Sequence, residues 1–290
     1  MKCGNRFFVA ISIALFTIFL TLLNIVTDRW EQYRGSEYVS CQLRGFMKSS
    51  SCEPKPSVGE VGDKVIVMAK MEDEDTSWVE DYLGDWQRAI YTVNPSANTP
   101  ADTLVTPLNK GHEAMAYLTY VIDNYDKLAS TIVFLHSHRS GFLTAWHVDS
   151  PMHDNVWAMQ HLQLDFVQEN GYVNLRCNWN PGCTKAQRKN NKHITWDVWQ
   201  ELFTNTSTPP AAAAADSDSE TGEKKAMYMP TEVGAACCAQ FAVSKKQVQQ
   251  RPKDDYIQFR RWVIETKKDD AHSGRVMEYI WHVIFGKNAV

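Results

Sequence analysis

The residues best suited to chemistry are two histidines at the end of an apolar run. Residues 131–135 are β-branched or apolar and predict a buried strand, and His136 and His138 come next. Because side chains alternate along a strand, residues two apart share one face. Ligands of open α/β sheets bind beyond the strand ends. The two imidazoles are therefore predicted to lie at a binding or catalytic site, and hydrogen-bonded structural histidines are the alternative.

A third histidine close in the chain indicates a metal site. His147 follows His136 and His138, and three neutral imidazoles that converge on one ion form a zinc or other transition-metal site. No spacing matches a signature such as HExxH. We predict these three histidines as metal ligands. As an alternative, His138 and Arg139 would bind a diphosphate through charge-assisted hydrogen bonds.

A second group of candidates lies near the C-terminus. Glu278 and His282 are four residues apart, so a helix would place them on one face. Such a pair can act as a general base and its orienting partner, and we predict both as catalytic residues. A structural hydrogen-bonded pair is the alternative. Arg275, just before them, is a candidate for binding an anion, with a surface cation as its alternative.

An acidic turn follows the first predicted strand. Residues 72–75 are four consecutive carboxylates, and such groups at the carboxyl edge of a sheet can bind a ribose, a base or a metal. A solvated turn is the alternative for each of them. Glu74 and Asp75 have the better case, because they lie beside the predicted start of a helix.

The elements that must position these groups alternate between strand and helix patterns. Residues 64–69, 89–93 and 131–136 predict strands, and apolar residues recur at helical spacing across 111–125. Further predicted elements are helices at 156–170, 195–203, 254–266 and 274–285 and strands at 171–175 and 237–243. This order is typical of βαβ units. We predict an α/β fold with a single, mostly parallel or mixed sheet flanked by helices.

The N-terminal residues decide the predicted compartment. Residues 7–26 form an apolar run of 20 residues, enough for a helix to cross a membrane. Lys2 and Arg6 precede it, which predicts a cytosolic tail at 1–6 and a lumenal remainder. We predict a single-pass type II protein of the Golgi or endoplasmic reticulum, in contact with the membrane through residues 7–26. Secretion after signal cleavage is the alternative, although small residues suited to cleavage are missing.

Composition defines the rest of the domain organisation. Residues 27–60 are polar and predict a stem, and residues 61–290 predict a lumenal globular domain. Pro, Ser and acidic residues predict a disordered insertion at about 206–225. The hydrophobic share of 44% permits a packed core, and the net charge of −4 gives no general attraction to nucleic acid. We therefore expect no nucleic-acid partner.

Cysteines and a glycosylation sequon agree with a lumenal domain. Six of the seven cysteines follow the apolar run, which permits up to three disulfides in an oxidising compartment. Cys41–Cys52 and Cys177–Cys183 are close in the chain and are the candidate local pairs, with other pairings of the six as alternatives. Asn205 begins an Asn-Thr-Ser sequon for N-glycosylation.

Several separate motifs occur in an order that resembles a known family. They include Asn109-Lys110-Gly111, Asp123-Asn124-Tyr125-Asp126, Phe134-Leu135-His136-Ser137-His138, Trp146-His147, Leu175-Arg176-Cys177, Cys237-Cys238-Ala239-Gln240-Phe241 and Gly274-Arg275 through Glu278-Tyr279 to Trp281-His282. Over roughly residues 64–286 the chain resembles a fungal family known as domain-of-unknown-function family number 3431. This resemblance implies no established activity.

The same order is more distantly similar to GT-A-type nucleotide-sugar glycosyltransferases. In that fold an Asp-x-Asp motif after a central strand holds a divalent metal and the diphosphate, and residues 136–138 stand in its place here. Imidazole suits softer metals than magnesium or manganese. The resemblance implies a divalent metal and a nucleotide sugar as cofactors. Its candidate nucleotide-sugar contacts are Asp75, Asn109, Lys110, His138, Arg139 and Arg275.

The resemblance also implies that Glu278 or His282 acts as a base on the hydroxyl of an acceptor, a carbohydrate or another small molecule. The most favoured function is therefore a membrane-anchored, glycosyltransferase-like enzyme of the secretory pathway. Two other classes stay open: a metal-dependent enzyme that acts on a fungal metabolite through the same histidines, and a non-catalytic binding module.

Overall fold

The computed structural model describes residues 2–32, 34–46, 53–141, 147–179, 183–211 and 229–290. The chain divides into two compact units, Met1–Glu53 and Pro54–Val290. The predicted insertion at about 206–225 falls largely on residues 212–228, and Trp146 and Cys52 also lie outside the described residues.

The first unit is helical. Helix α1 (Lys2–Gln32) contains an apolar segment, Phe8–Glu31, that is long enough to cross a membrane, and the large apolar side chains along it are exposed. Its hydroxyls Thr17 and Thr21 donate to carbonyls one turn earlier, which satisfies them within the helix. Such a helix is compatible with a membrane anchor or a signal peptide. Helix α2 (Gly35–Phe46) occupies part of the predicted stem.

The second unit is built on a mixed six-stranded sheet. Its strands are β1 (Lys64–Lys70), β2 (Gln87–Thr92), β3 (Leu104–Val105), β4 (Thr131–His136), β5 (Tyr172–Asn174) and β6 (Phe241–Ser244). The strand order is β3-β2-β1-β4-β6-β5. The first four strands in that order are parallel, and β6 runs antiparallel to both of its neighbours. This confirms the predicted single sheet of the mixed kind.

Helices cover both faces of the sheet. The helices described in the second unit are α3 (Ser77–Tyr82), α4 (Ala114–Asn124), α5 (Asn155–Gln160), α6 (Leu164–Asn170), α7 (Lys185–Lys189), α8 (Trp196–Phe203), α9 (Lys245–Val248), α10 (Lys253–Glu265) and α11 (Asp270–Ile284). Alternate strand residues enter opposite cores: Ile132 and Phe134 join the α4, α10 and α11 side, whereas Val133 and Leu135 join the α3, α5 and α6 side. A strand segment buried on both faces must be apolar, as residues 132–135 of β4 are.

Two predicted elements differ in the structure. The single helix predicted at 156–170 is two helices, α5 and α6, because Leu162 and Leu164 both pack against the same core and a continuous helix would point them apart. The strand predicted from 237 begins only at Phe241. Cys238 and Ala239 have φ values of 96° and 49°, which lie outside the β region.

Candidate functional site

A cleft lies at the carboxyl ends of β1 and β4. These strands are parallel neighbours, with Ala69 opposite His136. The chain leaves β1 towards β2 and β3 on one side and returns as β4 on the other, so this is the point where the winding of the sheet reverses. Ligands of open α/β sheets bind in the crevice at such a switch point. The predicted histidine pair therefore stands where the topology favours binding.

Two adjoining cavities occupy this cleft. The inner cavity, of about 320 Å³, and the outer cavity, of about 220 Å³, share His112, Glu113 and His136 in their walls. The inner cavity is also lined by His147, Cys237, Cys238, Arg275 and Glu278, and the outer one by Glu74, Asn109, His138 and Asp270. The structure thus brings together predicted residues from β4, from the loop after it, and from α11.

The segment that leads into the antiparallel strand β6 supplies one wall of the cleft. Because β6 runs against β4, its start lies at the same edge of the sheet as the end of β4. Gln240 accepts a hydrogen bond from the backbone N–H of His136 (2.8 Å), and its amide donates to Asn155 (3.0 Å). Asn155 in turn donates to the carbonyl of His138 (2.8 Å). This buried network holds the backbone of the histidine turn in place.

His136 and His147 lie side by side in the inner cavity. Their ring centroids are 4.5 Å apart. Burial lowers the pKa of His136 to about 4, and the neighbouring His138 adds to that effect. Burial likewise lowers the pKa of His147 to about 3, with His136 as the second cause. Both rings are therefore neutral at pH 7, the form in which imidazole binds metals.

His138 lies towards the outer cavity. Its Nε2 is 3.6 Å from Oε1 of Glu74, a residue of the acidic turn after β1. Half of the His138 side chain is exposed, whereas Glu74 is partly covered. Of the three predicted metal ligands, the structure therefore brings two together and sets the third beside a carboxylate.

Two carboxylates face the inner cavity. Glu278 accepts from the backbone N–H of Cys238 (2.8 Å) and from Arg275 (2.5 Å). Burial raises the pKa of Glu278, which the positive charge of Arg275 partly offsets. Burial also raises the pKa of Glu113, and Glu113 in turn helps to raise the pKa of Glu278. Carboxylates with raised pKa values are suited to acid–base work near neutral pH.

A disulfide between adjacent residues, Cys237–Cys238, lines the same cavity. The predicted Cys177–Cys183 pair is wrong: both are free cysteines, and Cys177 is exposed whereas Cys183 is buried, so their sulfurs lie in different environments. Cys41 is disulfide-bonded, and Cys52, its expected partner, falls outside the described residues.

His282 does not line the cleft. Although it shares a helix with Glu278, its ring is buried and its Nε2 lies 3.0 Å from the carbonyl oxygen of Ala289. Because a carbonyl only accepts, Nε2 carries the proton. His282 therefore ties the C-terminal residues to α11, and the orienting contacts to Glu278 come from Arg275 and Cys238 instead.

Burial of His282 predicts a loss of stability in mild acid. Burial lowers its pKa to about 4, below the ordinary value of 6.5, so the unfolded chain takes up the proton first. We expect the free energy of unfolding to fall as pH decreases from 6.5 to about 4. Urea unfolding across this range should give a flatter profile for His282→Gln, whose amide can still donate to Ala289. The exposed His161→Gln serves as control; equal slopes in all three proteins would contradict the prediction.

Asp75 and Lys110, both predicted to contact the nucleotide sugar, line neither cavity and form structural hydrogen bonds instead. Asp75 is exposed, and its carboxylate accepts from the backbone N–H of Ser77 (2.9 Å) at the start of α3. Lys110 donates to the carbonyls of Ile264 (3.0 Å) and Thr266 (2.5 Å) at the end of α10. The positive charge of Lys110 therefore complements the negative end of the α10 helix dipole.

Arg139 is also directed away from the cleft. It pairs with the buried carboxylate of Asp154 (3.1 Å), and its guanidinium lies 4.1 Å from the ring centroid of Tyr82. Both contacts belong to the α3 and α5 side of the sheet. Arg139 therefore fastens the loop after β4 to that layer.

His112 and Glu113 line the cleft but are not among the predicted site residues. They follow Gly111, whose φ of 78° begins a turn into α4, and His112 continues it with a φ of 50°. A Cβ on Gly274 of α11 would come within 2.5 Å of the His112 ring. The two helix starts therefore meet closely enough to form one wall. The available signal was their position beside the Asn109-Lys110-Gly111 motif.

The comparisons with known proteins give a family and no more. A family model described as "Protein of unknown function (DUF3431)" matches residues 66–290. No curated protein and no solved structure matches the chain. The match extends from the first strand through α11 and therefore includes every wall of the cleft. The chain belongs to the DUF3431 family of proteins of unknown function.

Proposed function

We propose that this protein is a glycosyltransferase-like enzyme that transfers a sugar from a nucleotide sugar to a hydroxyl acceptor. The observation that carries the proposal is the convergence of imidazoles and carboxylates at the switch point of the sheet. His136 comes from the end of β4, Glu113 from the residue just before α4, and Glu278 from α11. A donor that lies across the strand ends would contact all three.

The donor diphosphate requires cations and hydrogen-bond donors. Arg275 is partly exposed in the inner cavity, and a guanidinium binds phosphate oxygens through two parallel hydrogen bonds. Asn109 and His138 line the outer cavity and supply further donors. We therefore assign the diphosphate to the boundary between the two cavities, next to His136.

The resemblance implies a divalent metal, and the histidines fit a transition ion better than magnesium. His136 and His147 are neutral and adjacent, and the buried Nε2 of His136 has no hydrogen-bond partner among the described residues. These two residues would hold the ion, whereas His138, the third predicted ligand, lies beside Glu74 instead. A metal bound there would neutralise charge on the diphosphate leaving group.

Glu278 is the proposed base for the acceptor hydroxyl. Its carboxylate lies in the cavity wall, and Arg275 and the N–H of Cys238 fix its orientation. A base must reach the proton that it removes and must have a pKa near the working pH, which burial favours here. Glu113 stands in the same wall as a second acid–base group.

A thermal-shift screen of the full chain in detergent tests the proposal. The ligands are nucleoside diphosphates, sugar nucleotides, and divalent metals, alone and together. A ligand that binds only the native state adds about 2.7 kcal/mol at a hundredfold excess over its Kd. We expect one nucleotide to stabilise the wild type and His161→Ala but to have a weaker effect on Arg275→Ala and His138→Ala. No stabilisation by any nucleotide, with or without metal, would overturn the proposal.

A second candidate is a metal-dependent enzyme without a nucleotide substrate. The specific observation in its favour is the desolvated, neutral His136–His147 pair, which suits a transition ion. Stabilisation by a transition metal alone, lost in His136→Ala and unaffected by nucleotides, would favour this candidate.

The secretory pathway is the proposed location, with the second unit in the lumen. The apolar segment Phe8–Glu31 with Lys2 and Arg6 before it, together with the Asn205 sequon, supports this orientation. Asn205 is exposed after α8, so an oligosaccharyltransferase could reach it.

The Asn205 sequon yields a direct test of orientation. We expect the protein from eukaryotic cells to carry one N-glycan that Asn205→Gln removes, because glycosylation occurs only in the lumen. The measurement is electrophoretic mobility before and after endoglycosidase treatment. Asn190→Gln, an exposed asparagine outside any sequon, should keep the wild-type shift. Equal mobility of treated and untreated wild type would contradict the prediction.

A further inference from the structure

We propose that Cys237 and Cys238, once reduced, form with Glu278 a site for zinc or another thiophilic divalent ion in the wall of the inner cavity. Their two sulfurs and a carboxylate oxygen of Glu278 all lie within 4.8 Å of one another. Zinc binds thiolates and carboxylates at about 2.0–2.3 Å, so the three donors need only short movements to share one ion. In the disulfide state the sulfurs are bonded to each other and are poor ligands.

A buried cation prepares one of the two sulfurs for the thiolate state. Arg176 donates a hydrogen bond from Nη1 to Sγ of Cys237 at 3.2 Å, and its side chain is almost fully buried. Thiolates, not thiols, are metal ligands, and a neighbouring positive charge favours them. The contact therefore favours ion binding after reduction.

The carboxylate of Glu278 keeps capacity for a metal. One oxygen accepts from the N–H of Cys238 and the other from Arg275. A carboxylate offers about four acceptor positions, so both contacts can persist when an ion binds. His136 lines the same cavity, and its buried Nε2 has no hydrogen-bond partner in the described part of the chain. This nitrogen is an additional candidate ligand for the ion.

The cavity gives a reductant access to the disulfide. Cys237 and Cys238 both line it, so a small dithiol can approach the sulfurs. Each sulfur gains one electron and one proton and becomes a thiol, while the dithiol is oxidised to a disulfide. Binding of one zinc ion then releases the two thiol protons. The site is therefore present under reducing conditions and absent under oxidising ones.

This inference goes beyond the proposed function and does not depend on it. Nucleotide binding is measured by the thermal-shift screen, whereas sulfur ligation has its own spectroscopic signal. Failure of either proposal therefore leaves the other measurement interpretable.

Cobalt(II) is the probe for the experiment, because thiolate ligands give it a charge-transfer absorption in the near ultraviolet. The full chain in detergent is titrated before and after reduction with a phosphine, which takes up oxygen from water as the disulfide is reduced. We expect the absorption only in the reduced protein, at one cobalt per chain and with release of two protons, and zinc should displace the cobalt without further proton release.

Variants separate this site from the other thiols. Cys237→Ser and Cys238→Ser should each lose most of the absorption, and Glu278→Gln should weaken cobalt binding at least tenfold. Cys177→Ser, which removes an exposed free cysteine, should match the wild type. Circular dichroism confirms that each variant is folded. No absorption in the reduced wild type, or the same absorption in the Cys237→Ser/Cys238→Ser double variant, would overturn the proposal.

Discussion

Replacement of Glu278 by Gln is expected to lower kcat for sugar transfer by about 10²–10⁴-fold, the contribution typical of a general base. Gln keeps the size of the side chain and can still accept from the N–H of Cys238, so the cavity wall is preserved. It cannot take a proton from the acceptor hydroxyl. The assay is release of nucleoside diphosphate from whichever nucleotide sugar stabilises the protein in the binding screen.

The pH dependence of the transfer rate tests the same role of Glu278 more specifically. Burial raises the pKa of Glu278, and only the carboxylate can act as a base, so the wild-type rate should rise with pH through that raised pKa. The residual rate of Glu278→Gln should lack this rise. Glu265→Gln, an exposed residue on α10, is the matched control and should keep the wild-type rate and profile. A Glu278→Gln enzyme with kcat within a factor of two of wild type would remove Glu278 from the proposed role.

Replacement of Asp255 by Ala is expected to lower the free energy of unfolding by about 3–5 kcal/mol, because it leaves a buried charge without its partner. Asp255 pairs with Arg251 at 2.8 Å, and both side chains are almost completely buried. The carboxylate also accepts from the backbone N–H groups of Ser207 (2.7 Å) and Thr208 (3.0 Å). The pair therefore joins α10 to the segment after α8.

Urea unfolding of three variants tests the origin of this loss. Asp254→Ala changes the exposed neighbour and should cost no more than about 1 kcal/mol, the scale of a helix-dipole contact. The double variant Arg251→Met/Asp255→Ala should recover part of the stability, because it removes both charges from the interior. If Asp255→Ala lowers the free energy of unfolding by less than about 1 kcal/mol, the prediction is contradicted. Water or neighbouring dipoles would then compensate the charge of Arg251.

Local sequence patterns predicted most of the elements around the cleft. The apolar run before His136 indicated a buried strand, and β4 is buried on both faces. Helical spacing of apolar residues across 111–125 indicated α4, which the structure has at Ala114–Asn124. These predictions succeed because the period of a strand or a helix is a property of residues that are near one another in the chain.

The same patterns failed where contacts between distant segments overrode them. The apolar character of residues 237–243 indicated a strand throughout, but Cys238 and Ala239 adopt positive φ values and leave the sheet. Cysteine spacing favoured a Cys177–Cys183 bridge, whereas both of these cysteines are free and a bridge joins the adjacent residues Cys237 and Cys238. Spacing along the chain says little about distance in space once a loop can fold back.

The sequence by itself determined an apolar helix long enough for a membrane, an α/β domain, and two histidines at the carboxyl end of a buried strand. Only the tertiary structure decided which residues surround those histidines. Because β6 pairs antiparallel to β4, the start of β6 brings Cys237, Cys238 and Gln240 to the end of β4. The close packing of α11 against the start of α4 places Glu278 in the cleft, whereas His282 on the same helix lies in the interior. Strand pairing and helix packing join residues more than a hundred positions apart, and no local period records them.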